Sequence, residues 1–294
     1  MTALQPSESV KPEEPGLVIQ PRRGWIAIDW SELLRYRELL FFLIWRDIKV
    51  RYKQAILGVG WAVLQPVINM IIFTVIFGVA AGMRKNLPPE LQEAYPVFVF
   101  TALLPWQLFS SALNLGGMSL VNQQHLLTKI YFPRLFVPTA SVGSALVDMA
   151  ISFGIFLLLM VWYQIVPPAT ILFVPLLVLL TLMLALGMAY LLSALTVSYR
   201  DFRFLIPFMT QIWMWLSFVA FPVSILGDAK WKWLLAFNPM FGIITAYRKA
   251  ILGLDGRYGW DSRYFLVSVV MTIAIFVFGL FYFRRTERRF ADIA

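Results

Sequence analysis

Long apolar runs separated by short polar segments organise this chain of 294 residues. A helix that crosses a bilayer needs about 20 mainly apolar residues, and six runs qualify, at roughly 61–83, 96–119, 136–163, 170–197, 204–223 and 264–283. Pro105, Pro138 and Pro207 interrupt the second, third and fifth, where they kink a helix or mark its first turn. Residues 41–66 follow a different pattern. Phe41, Ile44, Trp45, Ile48, Tyr52, Ala55 and Ile56 recur at helical spacing, with Arg46, Asp47, Lys49, Arg51 and Lys53 mostly between them. This predicts a basic amphipathic helix lying in the membrane interface. After Gly58 and Gly60 the charges stop, and Trp61 opens the first spanning run.

The segment between the fifth and sixth runs is too apolar for a solvated loop, with Trp231, Trp233, Phe237, Met240, Phe241 and Tyr247 close together. It predicts two short helices, about 228–237 and 240–252, broken at Asn238-Pro239 and stopped at Gly253. Both dip into the membrane, where non-helical backbone survives only if buried in protein or lining a cavity. The fold class is all-α and polytopic: six transmembrane helices, an N-terminal interface helix and re-entrant helices before the last span. Residues 1–24 read as a disordered tail without the apolar core of a secretory signal, 25–60 as the interface region, and 61–294 as the transmembrane domain. No internal repeat is visible, which weighs against a secondary transporter with paired halves.

Composition sharpens this picture. The chain is 60% hydrophobic and 14% charged, and its mean hydropathy of +0.74 excludes an ordinary soluble domain. Its net charge of +9 does not suggest nucleic acid, because the cations sit in short segments beside apolar runs, where anionic lipid and topology explain them. Of the 25 Lys and Arg, 17 fall on the side that holds both termini if there are six spans, so the termini are expected to be cytoplasmic. The absence of Cys excludes disulfides, thiolate nucleophiles and Cys-ligated metals, and the lone His125 excludes a multi-His site within one chain. No metal site is expected.

Four stretches together carry a resemblance: RYRELLFFLIWRDIKVRYKQAILGVGWAVLQP (35–66), TKIYFPR (128–134), SYRDFR (198–203) and FNPM (237–240). In this order along six spans, the chain resembles the permease subunit of bacterial type 2 ABC exporters of O-antigen, capsule or teichoic acid. The likeness covers residues 22–294. It implies a homodimer in the cytoplasmic membrane, paired with two separate ATPase subunits that carry ATP and Mg, which moves a lipid-linked polysaccharide outward. None of the 17 glycines opens a G-x-x-x-x-G-K-[ST] phosphate loop, so the chain is expected to bind no nucleotide by that device and to be no enzyme by itself.

The resemblance also suggests roles. Residues 35–57 become the helix that docks on the ATPase, with Arg46, Lys49 and Arg51 on its charged face; a helix resting only on anionic lipid is the competing reading. Residues 119–132 resemble the coupling helix, offering Asn122, Gln123, Gln124, His125 and Lys129 as contacts, against a plain connecting loop. The segment 224–252 becomes an outer gate. Sugars stack on aromatic faces, so Trp106, Phe109, Trp213, Trp215, Phe218, Trp231, Trp233 and Phe237 are channel or gate candidates, with interfacial belt or core packing as the alternative for each. Structural roles are expected for Arg200 and Asp201, which bond to neighbouring helices or cap the following one, against contact with the ATPase, and for Asn238 and Pro239. Asp148, the only carboxylate deep in a predicted span, should be hydrogen-bonded or protonated at a helix interface. The small-residue pairs Gly78/Gly82 and Ala185/Ala189 permit close helix contact. Two other classes remain: a polytopic glycosyl- or phosphotransferase acting on a lipid carrier, for which the acidic residues are too scattered, and a secondary transporter.

Overall fold

The computed structural model describes residues 34–53, 60–125, 132–227, 230–258 and 260–287, with backbone alone at 230–232 and 257. The tail, residues 54–59, Lys129 and the side chain of Trp231 lie outside the described residues. Helix α1 is Arg37–Lys53. Helix α2 begins as Gly60–Phe73 and continues through a wider π-helical turn, Thr74–Ala80. Then come α3 (Tyr95–Asn122), α4 (Phe136–Trp162), α5 (Val174–Ser198, after the 3-10 turn Ala169–Phe173) and α6 (Phe202–Leu216). A 3-10 segment, Lys230–Phe237, precedes α7 (Pro239–Leu252), and α8 is Ser262–Glu287. No strand occurs among the described residues.

Among the described residues, five helical stretches are long and apolar enough to cross a membrane: Gly60–Ala80, Tyr95–Asn122, Phe136–Trp162, Ala169–Ser198 and Ser262–Glu287. The fifth expected run differs. Its helix α6 has 15 residues, about 22 Å, and falls short of the roughly 30 Å hydrocarbon thickness.

The centre of the bundle is α3, whose most apolar window is 78% buried, whereas that of α8 is 17% buried. Packing partners fix the directions. Phe100 stacks on Phe156 and Gln107 lies by Ser152, so α3 and α4 are antiparallel. Gly187 meets Gly279 and Tyr190 meets Phe283, so α5 and α8 are parallel. Ile206, Trp213 and Ala220 lie beside Gly117, Phe109 and Tyr95 in turn, so α6 and the residues after it run back along α3. The bundle thus has a near end, with Phe136, Ser198 and Glu287, and a far end, with Tyr95, Trp162 and Ser262.

The small residues serve close approaches inside the chain. A Cβ on Gly78 would come within 2.6 Å of the Tyr95 ring, one on Gly116 within 2.6 Å of Ala189, and one on Gly187 within 2.6 Å of the Phe276 backbone. Gly78 and Ala189 therefore pack within the chain.

Candidate coupling and gate sites

At the near end, α1 packs along α4. Leu43 is buried among Phe132, Leu135 and Phe136, and Ile44 covers Gly143. One turn beyond Ile48, Arg51 forms an ion pair with Asp148 and donates to Ser144 Oγ at 3.0 Å, while the Tyr52 hydroxyl donates to the second Asp148 oxygen. Ser152, on the same helix, donates to Gln107 of α3 at 3.2 Å or to the Asp148 carbonyl at 3.0 Å. Polar contacts thus reach from α1 to the central helix. Burial, followed by the hydrogen bond and charge of Asp148, pushes the Tyr52 phenol up to about 12, so it remains a protonated donor at physiological pH.

In this seam Asp148 is hydrogen-bonded at the interface of α1 and α4. Arg51 is held against α4, whereas Arg46, similarly half-buried, is held by its own neighbour and Lys49 is exposed. The expected apolar stripe divides: Ile44, Ile48 and Tyr52 are partly buried, while Phe41 and Trp45 are exposed. An intramembrane carboxylate draws the nearest cation, here 97 residues away in sequence and invisible to helical spacing. Arg46 pairs with the adjacent Asp47 at 2.8 Å, and Lys49 stands 5.3 Å from the Trp45 ring centroid.

The other near-end candidates are mostly exposed. Asn122 ends α3, and Gln124 and His125 follow at the surface; Gln123 is half-buried, its side-chain Oε1 enclosed without a hydrogen bond. Arg200 and Asp201 are exposed in the turn before α6. Asp201 holds the N-cap position but its side chain makes no capping bond, so of the two expected roles capping is not filled. The 3-10 turn there supplies backbone bonds instead, including Phe204 N–H to the Asp201 carbonyl at 3.0 Å.

Towards the far end, residues 222–227 and 230–255 form a hairpin folded back into the bundle. Ser224 donates to the Asn86 carbonyl in the loop between α2 and α3, and the chain then descends to Asn238. There Asn238 Oδ1 accepts from Trp213 Nε1 at 2.7 Å and from the Met240 N–H at 3.1 Å, and its Nδ2 reaches the Leu216 carbonyl at 3.1 Å. Pro239 occupies the first turn of α7, where its missing N–H costs nothing. Helix α7 climbs back until Gly253, at φ 68°, ends it. Two helical pieces with a break at Asn238-Pro239 were expected. The first is a 3-10 segment, Lys230–Phe237, and the second is α7. Asn238→Ala should lower stability by about 1–2 kcal/mol, since it removes a cap and leaves the Trp213 N–H unpaired; thermal unfolding in detergent measures it.

The aromatic candidates separate into two groups. Trp106 and Phe109 are enclosed, and Phe109 meets Trp213 edge-on at 5.0 Å, so these are packing residues within the protomer. Trp215, Trp233 and Phe237 are exposed; Trp215 packs on Phe73, Phe77 and Phe221, and Trp233 on Phe237. Phe218 lies between Phe221 and Phe241. Sequence reasoning missed Arg248, which is 2% exposed and donates to the carbonyls of Phe218, Val219 and Phe221. Its signal was an Arg directly after the apolar stretch FGIITAY, followed by Lys249 and by Ala250, Ile251 and Leu252. Among the described residues, no group of three or more His, Cys, Asp or Glu could hold a metal ion.

Residues 38–252 match the family described as ABC-2 type transporter. The chain belongs to that family. Within it, the chain is 33% identical over 218 residues to the O-antigen export system permease protein RfbA of Myxococcus xanthus, covering 74% of this chain and 81% of that protein. It is 25% identical over 260 residues to the protein of the same name from Klebsiella pneumoniae, covering 87% and 95%. It is also 25% identical over 249 residues to the polysialic acid transport protein KpsM of Escherichia coli, covering 83% and 92%. For this ABC-2 transporter chain, the family match includes the Arg51–Asp148 seam and the hairpin through α7. It is a multi-pass membrane component of a transporter.

Proposed function

We propose that this chain is the membrane subunit of an ABC exporter that moves a lipid-linked polysaccharide such as O-antigen, capsule or a teichoic-acid-like glycan out across the cytoplasmic membrane. The similarity to permeases named for O-antigen export and polysialic acid transport carries this reading. Two copies form the pathway, and two separate ATPase chains, with ATP and Mg, drive it. Anionic lipid meets the basic near end.

The near end is cytoplasmic in this reading. Because α5 and α8 run parallel, the chain must return from Ser198 to Ser262 along the bundle axis. The track of Ile206, Trp213 and Ala220 along α3 supports a sixth crossing made by α6 and the unwound residues after it. Both termini are then cytoplasmic. Helix α1, with Arg46 and Lys49 outward, and the 119–132 segment, with Asn122, Gln123, Gln124, His125 and Lys129, receive the ATPase stroke. The hairpin at 224–252 is the outer gate, with Trp215, Trp233 and Phe237 offering faces to sugar.

Co-purification of the tagged chain from native membranes should recover an ATPase subunit, and deletion of the gene should leave the glycan inside the cell. Recovery without a nucleotide-binding partner, with the glycan still exported by the deletion strain, sinks the proposal. Arg46→Glu should leave the purified permease within about 1 kcal/mol of its original stability, since its pair with Asp47 joins adjacent residues of one helix and ties no two elements together. The same variant should lower ATP-dependent export if α1 meets the ATPase.

A further inference from the structure

Helix α6 stops at Leu216 in the far half of the bundle, and the chain does not resume a helix until after Phe221. Backbone without helical bonds at membrane depth has to be satisfied by protein. Five carbonyls in this short break accept from side chains. Leu216 accepts from Asn238 Nδ2 at 3.1 Å, Phe218 and Val219 from Arg248 Nη2 at 3.0 and 2.9 Å, Ala220 from the Tyr95 hydroxyl at 2.7 Å, and Phe221 from Arg248 Nη1 at 3.1 Å. The donors come from α3, from the hairpin turn and from α7, so three separate elements grip one break.

Two features distinguish this grip from ordinary packing. Phe218 has φ 54°, left-handed backbone that is uncommon and strained for a bulky residue. Arg248 is enclosed, yet its hydrogen-bond acceptors are neutral carbonyls; its guanidinium stands 3.9 Å from the centre of the Phe98 ring and its Nε makes no hydrogen bond. These carbonyls lie just past the C-terminus of α6, whose negative pole favours a cation nearby without a formal counter-charge. Release therefore does not separate two ions in a low-dielectric medium, a step that would cost far more.

We propose that residues 216–221 are the hinge of the outer gate, and that Arg248, with Tyr95 and Asn238, is the latch that keeps it shut at rest. This rests on the hairpin being the gate. When α7 moves against α6, the carbonyls exchange Arg248 and Tyr95 for water and Phe218 leaves its strained conformation. Arg248 is a positioning residue here, acting on the backbone rather than on substrate.

The chain contains no cysteine, so Thr210→Cys, at a buried position of the otherwise largely exposed α6 and one turn before Trp213, supplies a single reporter. The experiment labels it from outside with a membrane-impermeant maleimide, in the full transporter with its ATPase. In the otherwise native chain, labelling should be slow at rest and rise severalfold during ATP turnover. Adding Tyr95→Phe, which deletes one hydroxyl and keeps the ring, should raise resting labelling severalfold without ATP, and Arg248→Met should raise it further, with Arg248→Lys intermediate. If turnover does not change labelling in the parent, the gate reading fails and the latch with it. If turnover does change it, but Tyr95→Phe and Arg248→Lys label at rest like the parent, the latch is overturned and the gate stands. Should Arg248→Met fail to fold, Tyr95→Phe decides.

Discussion

Arg51→Glu is expected to destabilise the isolated permease by about 1–3 kcal/mol, with no ATPase present. Breaking a fully buried ion pair costs about 3–5 kcal/mol because one charge is left uncompensated. The side chains of Arg51 and Asp148 are 29% and 24% exposed, so the pair is half-buried and the effect falls below that range. Glu at 51 adds repulsion: it faces the Asp148 carboxylate, and Ser144 Oγ loses its guanidinium donor. Helix α1 should then lose its hold on α4. Thermal unfolding in detergent checks the magnitude, and protease access at Lys53 reports whether α1 has left its seat. The reciprocal double variant, Arg51→Asp with Asp148→Arg, should recover part of the loss. If Arg51→Glu behaves like Arg46→Glu, stable alone and deficient only with the ATPase, Arg51 is an outward contact and the seam has no energetic weight. The same seam gives α1 a mechanical role, since a push on it reaches α4 through Asp148 and approaches α3 through Ser152 and Gln107.

Gly279→Leu should have the larger effect. A Cβ on Gly279 lands on the Gly187 carbonyl, and one on Gly187 comes within 2.6 Å of the Phe276 Cα. These neighbours are backbone, which cannot swing aside as a flexible side chain can. Inserting carbon into a well-packed contact costs about 1–3 kcal/mol, and more where backbone must shift. Here α8 must move off α5, which also disturbs Tyr190 against Phe276 and Phe283. Little folded protein should be recovered from the membrane, whereas Gly154→Leu, at a helical glycine with open space around its Cβ position, should be tolerated. Fluorescence-detected size exclusion of the two variants makes the comparison. Equal recovery of both would mean that the Gly187–Gly279 approach does not limit packing.

Several elements were legible because their cause is local. Apolar length set the five long helices, and the paired signals Asn238-Pro239 and Gly253 set both ends of α7, since a cap, a missing N–H and a left-handed residue act within one turn. Family membership was also legible, in the order of four short stretches. Other features depended on distant partners. The inward turn of Arg51 needed Asp148, the role of Arg248 needed carbonyls some 30 residues earlier in the chain, and the enclosure of Trp106 and Phe109 needed α3 to be central. The failed cap at Asp201 is a different kind of error: the residue was suitable and the position correct, but a 3-10 turn satisfied the backbone first.

The sequence by itself determined that this is an all-helical membrane chain of the ABC-2 type, because hydrophobic length and turn chemistry are local and additive. Only the tertiary structure decided how α6 ends and what replaces its missing hydrogen bonds. It likewise decided which cation answers Asp148 and which small residues let helices touch. Each depends on groups far apart in the chain meeting in a medium that leaves no polar atom unpaired without cost.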